Sequence, residues 1–151
     1  MSQAFSLYGE LSVHQNLQLH ARIFAIRDRD ARIAELTERF GLAAHRDTLA
    51  ATLPLGIKQR LSLAVAIIHR PRVLILDEPT ASIDPASELR LKDHLKGIIE
   101  DRTVILITHK GTLLDLVDKI MLMDRSNIVD FGPRETVIKN LRDGKYRTGE
   151  A

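Results

Sequence analysis

The sequence predicts an α/β fold in which a helical lobe is followed by part of a mostly parallel sheet, and three observations carry that prediction. Before Pro71 the apolar residues recur at helical spacing. After it, short aliphatic runs (VLIL at 73–76, TVILIT at 103–108, KIMLM at 119–123) alternate with the helical stretch ASELRLKDHLKGII. The first two of those runs end abruptly in polar pairs, Asp77-Glu78 and His109-Lys110. The division falls near Pro71, giving units 1–70 and 71–151.

Each element follows in order. Ser12 can cap a helix whose apolar stripe is Val13, Leu17, Leu19, Ile23, Phe24 and Ile26. DRDARIAELTERFGL places Ile33, Leu36 and Phe40 three and four apart, and Gly41 is its C-terminal stop. From Gly56 to His69, Leu61, Ala64, Val65 and Ile68 share one face, and Pro71 closes the segment. VLIL and TVILIT then read as strands buried on both faces, with a helix between them. A short segment starts at Thr112, KIMLM is a further strand, and IVDF follows the Arg125-Ser126-Asn127 turn.

Composition narrows the function. At 151 residues and 44% hydrophobic content, the chain can bury one ordinary core. Its charges nearly cancel at +2, and no Lys/Arg run forms a nucleic-acid footprint, so no nucleic-acid partner is expected. The absence of cysteine excludes disulfides and thiolate metal sites. The longest apolar run falls short of the roughly 18 to 20 residues that span a bilayer, and no signal peptide is recognisable. A soluble chain is expected, with any membrane contact supplied by a partner.

The acidic tip of the first strand is the strongest chemical signal. Ligands of open α/β sheets bind beyond the carboxyl ends of the strands, where Asp77 and Glu78 fall. Two adjacent carboxylates leaving an apolar strand repel each other unless a cation lies between them, and phosphate-bound Mg²⁺ is the usual one. Asp77 would then hold the metal and Glu78 would polarise an attacking water; the alternative is a strand-to-turn junction whose two carboxylates are merely solvated. His109, ending the second strand, can donate to a phosphate oxygen; the alternative is a structural histidine that caps the next helix.

VLILDEPTASID resembles the Walker B strand and D-loop of ATP-binding cassette (ABC) ATPases, and LITHK resembles their switch-histidine strand. Upstream, LPLGIKQRLSLAVAIIHRPR resembles the family's signature segment and helix, and MSQAFSLYGELSVHQNL its Q-loop. DKIMLMDRSNIVDFGPRETVI is similar to the closing hairpin and helix, with Ser126 or Asn127 where a glycine is common. The resemblance implies a P-loop NTPase fold, incomplete: the helical subdomain plus the C-terminal part of a RecA-like sheet. It implies an ATP-binding, ATP-hydrolysing unit of a transporter, exporter-like, with ATP and Mg²⁺ as cofactors. By it, Asp77 coordinates Mg²⁺, Glu78 is the general base, His109 steadies the γ-phosphate and Gln3 senses metal and water. Leu53, Pro54, Leu55, Gly56, Ile57, Lys58 and Gln59, with Asp84 of the D-loop, would face nucleotide held by a second cassette. The other implied partner is a transmembrane domain, which would hold the chain at the cytoplasmic face of the membrane and touch it near Phe5, Tyr8 and Glu10, although the aromatics there fit lobe packing equally well.

Two departures qualify what the resemblance implies. Pro54, Leu55 and Ile57 replace the usual Ser, Gly and Gln of the signature. Pro54 offers neither hydroxyl nor N–H to a phosphate, although proline suits the first turn of a helix. The second departure is that the 151 residues contain no G-x-x-x-x-G-K-[ST] loop; Gly144-Lys145 is followed by Tyr146. The expectation is a truncated cassette that binds ATP very weakly alone and exposes apolar sheet surface. The alternative is a non-catalytic module that docks on a complete cassette or a membrane domain. DNA- or ribosome-acting relatives would be expected to carry coiled-coil heptads or strongly basic segments, and neither is present.

Overall fold

The computed structural model describes residues 7–81, 84–99 and 102–146. Gln3 and Phe5 lie outside the described residues. Helix α1 (Val13–Ile23) starts with a complete capping box. The Gln15 N–H donates to Ser12 Oγ at 3.2 Å, and the Ser12 N–H donates to Gln15 Oε1 at 2.8 Å. The buried stripe differs from the expected one. It comprises Val13, Leu17 and Ala21 together with the polar Asn16 and His20, whereas Ile23 and Phe24 are exposed. The helix ends at Ile23, and Ala25 turns the chain with φ 49°, so the stripe cannot extend to Phe24. Asn16 can be buried because its side chain is satisfied. It accepts the Tyr8 N–H at 2.9 Å and donates to the carbonyls of Tyr8, Leu11 and Ser12 at 3.0, 3.1 and 3.0 Å.

Helix α2 (Arg29–Arg39) buries Ile33 and Leu36 as expected, with Phe40 just beyond its end, and stops as Gly41 takes the left-handed φ of 59°. Arg32, on the same helix, is also buried. Its guanidinium donates to Ile67 O at 2.7 Å and Ile68 O at 3.1 Å, closing the carbonyl end of the next helix. That helix, α3 (Leu55–Ile67), is central: Leu61, Leu63, Ala64, Val65, Ile67 and even Gln59 are buried. A single apolar face was too narrow an expectation, because α3 is surrounded rather than laid on a surface.

Strands β1 (Val73–Asp77) and β2 (Thr103–Ile107) pair in parallel, Val73 opposite Thr103 through Asp77 opposite Ile107, with α4 (Pro85–Ile99) as the crossover. Leu74 and Leu76 enter the same core as Leu91, Leu95 and Ile98, and Val104 and Leu106 pack against it. Val73, Ile75, Ile105 and Ile107, on the opposite face, are about half exposed or more. The strands expected to be buried on both faces are thus covered on one, because among the described residues no element packs on the second.

After a short 3₁₀ segment (Gly111–Leu116), which buries Leu113, strands β3 (Lys119–Asp124) and β4 (Asn127–Pro133) form an antiparallel hairpin. Helix α5 (Arg134–Arg142) seals it through the fully buried Val137. Among the described residues the strands therefore form two pairs, one parallel and one antiparallel, as expected of part of a mostly parallel sheet followed by a closing hairpin. The α/β character and the parallel pair agree with the sequence reading. Among the described residues, no helix is long and apolar enough to cross a membrane.

Candidate functional site

The carboxyl ends of β1 and β2 bring two of the predicted residues together. Asp77 is the last residue of β1, and its side chain is exposed. The next residue, Glu78, has φ 44°, a left-handed conformation that a side chain other than glycine adopts at a cost of order 1 kcal/mol. Its N–H continues the ladder by donating to Ile107 O at 2.9 Å. The turn then closes with the Ala81 N–H on Glu78 O at 3.0 Å. This bend swings the Glu78 carboxylate across to the end of β2. There Oε1 accepts the His109 backbone N–H at 2.8 Å, and Oε2 lies 3.5 Å from the Thr108 hydroxyl. The His109 imidazole reaches outward, 96% exposed, with Nε2 3.8 Å from Glu78 Oε1.

These groups suit phosphate chemistry in a definite way. Glu78 is fixed by hydrogen bonds while Asp77, one residue earlier, presents its carboxylate to solvent. Among the described residues no three His, Asp or Glu side chains converge to cage a metal ion. Asp77 alone offers a carboxylate that could hold a cation at this tip. A single carboxylate fits Mg²⁺, which keeps several waters and takes one or two carboxylates beside phosphates.

Among the described residues a side-chain hydrogen bond joins the signature segment to the turn beyond this tip. Pro54 heads α3, and its carbonyl takes the N–H groups of Ile57 and Lys58 at 3.0 and 2.9 Å. Leu53 is buried, Leu55 is exposed, and Lys58 Nζ donates to Ala51 O at 3.0 Å. Gly56 lies beside the start of α4, where an added β-carbon would sit 3.7 Å from Ser87 Oγ. Gln59 makes the link: it is buried, and its Nε2 donates to Ala81 O at 2.8 Å, in the turn after Glu78. Asp84 caps α4, accepting the Ser87 N–H at 2.9 Å, and hydrogen bonds from Ser87 hold its carboxyl below the usual range. Gln3 is outside the described residues.

Sequence reasoning passed over Lys110 and Glu88. Lys110 Nζ donates to Thr80 O at 2.8 Å and to Glu88 Oε2 at 2.6 Å, while the Thr112 hydroxyl donates to Glu88 Oε1. Lys110 and Thr112 hold the buried Glu88 carboxyl below its usual range. The available signal was Lys110 itself, adjoining His109; nothing marked Glu88 among the other charges of its helix.

A parallel pair whose tips carry an acidic pair and a histidine, joined to a helical lobe, is an incomplete P-loop NTPase fold of the ABC ATPase type. The chain belongs to the ABC transporter family, whose model matches residues 1–81. It is 37% identical over 135 residues to a probable multidrug ABC transporter ATP-binding protein, YbhF, of Escherichia coli, covering 87% of this chain and 23% of that protein. It is 36% identical over 140 residues to an uncharacterized ABC transporter ATP-binding protein, YhcH, of Bacillus subtilis, covering 91% of this chain and 43% of the relative. The linearmycin resistance ATP-binding protein LnrL of Bacillus subtilis is 30% identical over 143 residues, 92% of this chain and 46% of its own length. The chain thus spans less than half the length of these curated relatives.

Proposed function

We propose that the chain is part of the ATP-binding, ATP-hydrolysing unit of an ABC transporter, and that the transporter is an exporter. The observation that carries this reading is the pairing of Glu78 with His109 at the carboxyl ends of two parallel strands, 2.8 Å from backbone N–H to carboxylate. In this reading Glu78 is the general base, oriented toward a water by the same hydrogen bonds that fix it. His109, whose imidazole is exposed, donates to the terminal phosphate. Asp77 would hold Mg²⁺, which when bound would supply neutralisation of phosphate charge. Gln3 is assigned the sensing of metal and water.

Leu53 to Gln59 and Asp84 serve nucleotide held by a second cassette, and Pro54 in place of a hydroxyl-bearing residue weakens that contact. A transmembrane domain is the other partner, and it keeps the chain peripheral to the cytoplasmic face of the membrane. The exporter assignment is supported by the names of the relatives, a multidrug transporter protein and a linearmycin resistance protein. In this reading residues 1–70 form the Q-loop, helical subdomain and signature helix, and 71–151 the C-terminal part of the ATPase core.

The 151 residues contain no phosphate-binding loop, so the chain alone loses several charge-assisted hydrogen bonds worth about 1.5 to 3 kcal/mol each, enough to carry a micromolar site beyond millimolar. Equilibrium binding of Mg·ATP to the purified chain tests this, with Asp77→Ala and Glu78→Gln as comparisons. Weak or no binding below millimolar ATP is expected. Tight binding abolished by Asp77→Ala would mean that the chain builds a complete nucleotide site without a phosphate loop, and would overturn this account of it.

A further inference from the structure

The polar network beyond Glu78 contains a buried carboxylate that the proposed chemistry leaves without a task. Glu88 is 8% exposed, and both of its oxygens are engaged, one by the Lys110 ammonium and one by the Thr112 hydroxyl. The Lys110 side chain stays about a third exposed, so the pair is weak ground for stability, and the best-attested use of such a pair is to fix a register. The register at stake is visible in the same bonds. Lys110 Nζ also donates to Thr80 O at 2.8 Å, and the Lys110 N–H donates to Thr108 Oγ1 at 3.0 Å.

One ammonium therefore ties together the turn after β1, the first turns of α4 and the loop after β2. The partners of the bond from the His109 N–H to Glu78 Oε1 lie one residue before Lys110 and two before Thr80 in the chain. The ladder ends at the bond from the Glu78 N–H to Ile107 O, so residues 108–110 have no further strand partner to orient them. A loop held only by Glu78 would pivot about that carboxylate; a second anchor on the far side of His109 prevents the pivot.

We propose that Lys110 and Glu88 are positioning residues that hold the loop after β2 where the His109 backbone N–H meets the Glu78 carboxylate. The proposal rests on the reading of Glu78 and His109 as the reacting pair for its catalytic meaning, but not for its test. Lys110 and Glu88 themselves touch no substrate in this scheme. They act through His109 and Glu78.

The test is the amide proton resonance of His109 in the full chain, read from ¹H–¹⁵N spectra. Glu78→Gln replaces the charged acceptor by a neutral one and sets the shift that marks a weakened bond. Lys110→Met and Glu88→Gln are expected to move the same resonance in the same direction by at least half as much, while Lys110→Arg leaves it within a tenth of that shift. Hydrogen exchange at His109 should quicken at least tenfold in Lys110→Met, with the amides of α1 to α3 unchanged as a control for the fold. If Lys110→Met does not fold, Glu88→Gln and Thr112→Val carry the same measurement. A His109 resonance that moves less than half as far in these variants as in Glu78→Gln overturns the proposal, as does one that Glu78→Gln itself leaves in place. No nucleotide enters the experiment, so a chain that fails to bind Mg·ATP can still pass it, and the two readings fail separately.

Discussion

Glu78 and His109 meet through the main chain of one and the side chain of the other: the His109 N–H donates to Glu78 Oε1 at 2.8 Å, across the ends of two paired strands. The bond exists because Glu78 accepts a left-handed backbone, φ 44°, which redirects its side chain away from the alternation of β1. Strain and carboxylate can be separated at this one position. Glu78→Ala loses the hydrogen bonds and keeps the unfavourable φ, whereas Glu78→Gly loses the same bonds and relieves it. The glycine variant is expected to be more stable than the alanine variant by about 1 kcal/mol in urea denaturation. Equal stabilities would mean that the backbone at residue 78 carries no strain.

Glu88 makes a statement about acid. Its carboxyl is held below its ordinary value of 4.5, chiefly by the Lys110 ammonium and then by the Thr112 hydroxyl. A carboxyl whose folded-state pKa is depressed contributes stability that is fully present above the unfolded value and is lost as pH falls through the folded one. Glu88→Gln is expected to cost about 1 to 2 kcal/mol at neutral pH. The gap between the two proteins should then close as pH drops below 4.5. Glu35, Asp115 and Asp130 are depressed as well, by Arg32, Lys92 and Tyr146 respectively, but they are common to both proteins and cancel in the difference. A gap that stays constant from neutral pH down through this range would remove the ion pair from the account.

How much of this was written in the sequence depends on whether the signal was local. The Ser12 cap, the Gly41 stop, the two aliphatic strands and the acidic tip depend on neighbouring residues, and each is found where its pattern put it. The Glu78–His109 contact follows from β1 and β2 being adjacent, which two aliphatic runs separated by one helix made legible. Asn16, His20 and Gln59 were not legible as core residues, because burial of a polar side chain depends on partners brought by folding: the Tyr8 carbonyl for Asn16, the Ala81 carbonyl for Gln59. Ile23 and Phe24 failed in the opposite sense. Their apolar character extended a stripe that the turn at Ala25 cuts off, and Phe24 stacks on His69 at 4.1 Å instead.

The hairpin turn offers a stabilising change. Arg125 and Ser126, the two central residues between β3 and β4, both have positive φ, 44° and 65°, as a type I′ turn requires. Neither residue type favours that region, and glycine is the usual second residue of such turns. Ser126→Gly should raise stability by about 1 kcal/mol, seen as a higher urea midpoint with an unchanged slope. The side chain of Ser126 is exposed, so no packing is lost in exchange. A fall in stability would mean that the turn, once freed, no longer holds the register in which Met123 pairs with Ile128 past the irregularity at Leu122.

The open face of the parallel pair predicts association. Ile75 and Ile105 lie opposite each other in the register and are 63% and 49% exposed, with Val73 and Ile107 beside them on the same face. Contiguous exposed aliphatic side chains on a β surface drive self-association because burying them between copies removes them from water. Ile75→Lys with Ile105→Glu places opposite charges across the strands, where such pairs are favourable, and removes the centre of the patch. The double variant should show reduced self-association in sedimentation and light scattering. Its urea stability should stay within about 0.5 kcal/mol of the parent, as is usual for changes at exposed positions. A loss of several kcal/mol would instead mean that this face is packed in the folded chain, and association that persists undiminished would move the sticky surface to the hairpin, where Met121, Met123 and Phe131 are also exposed.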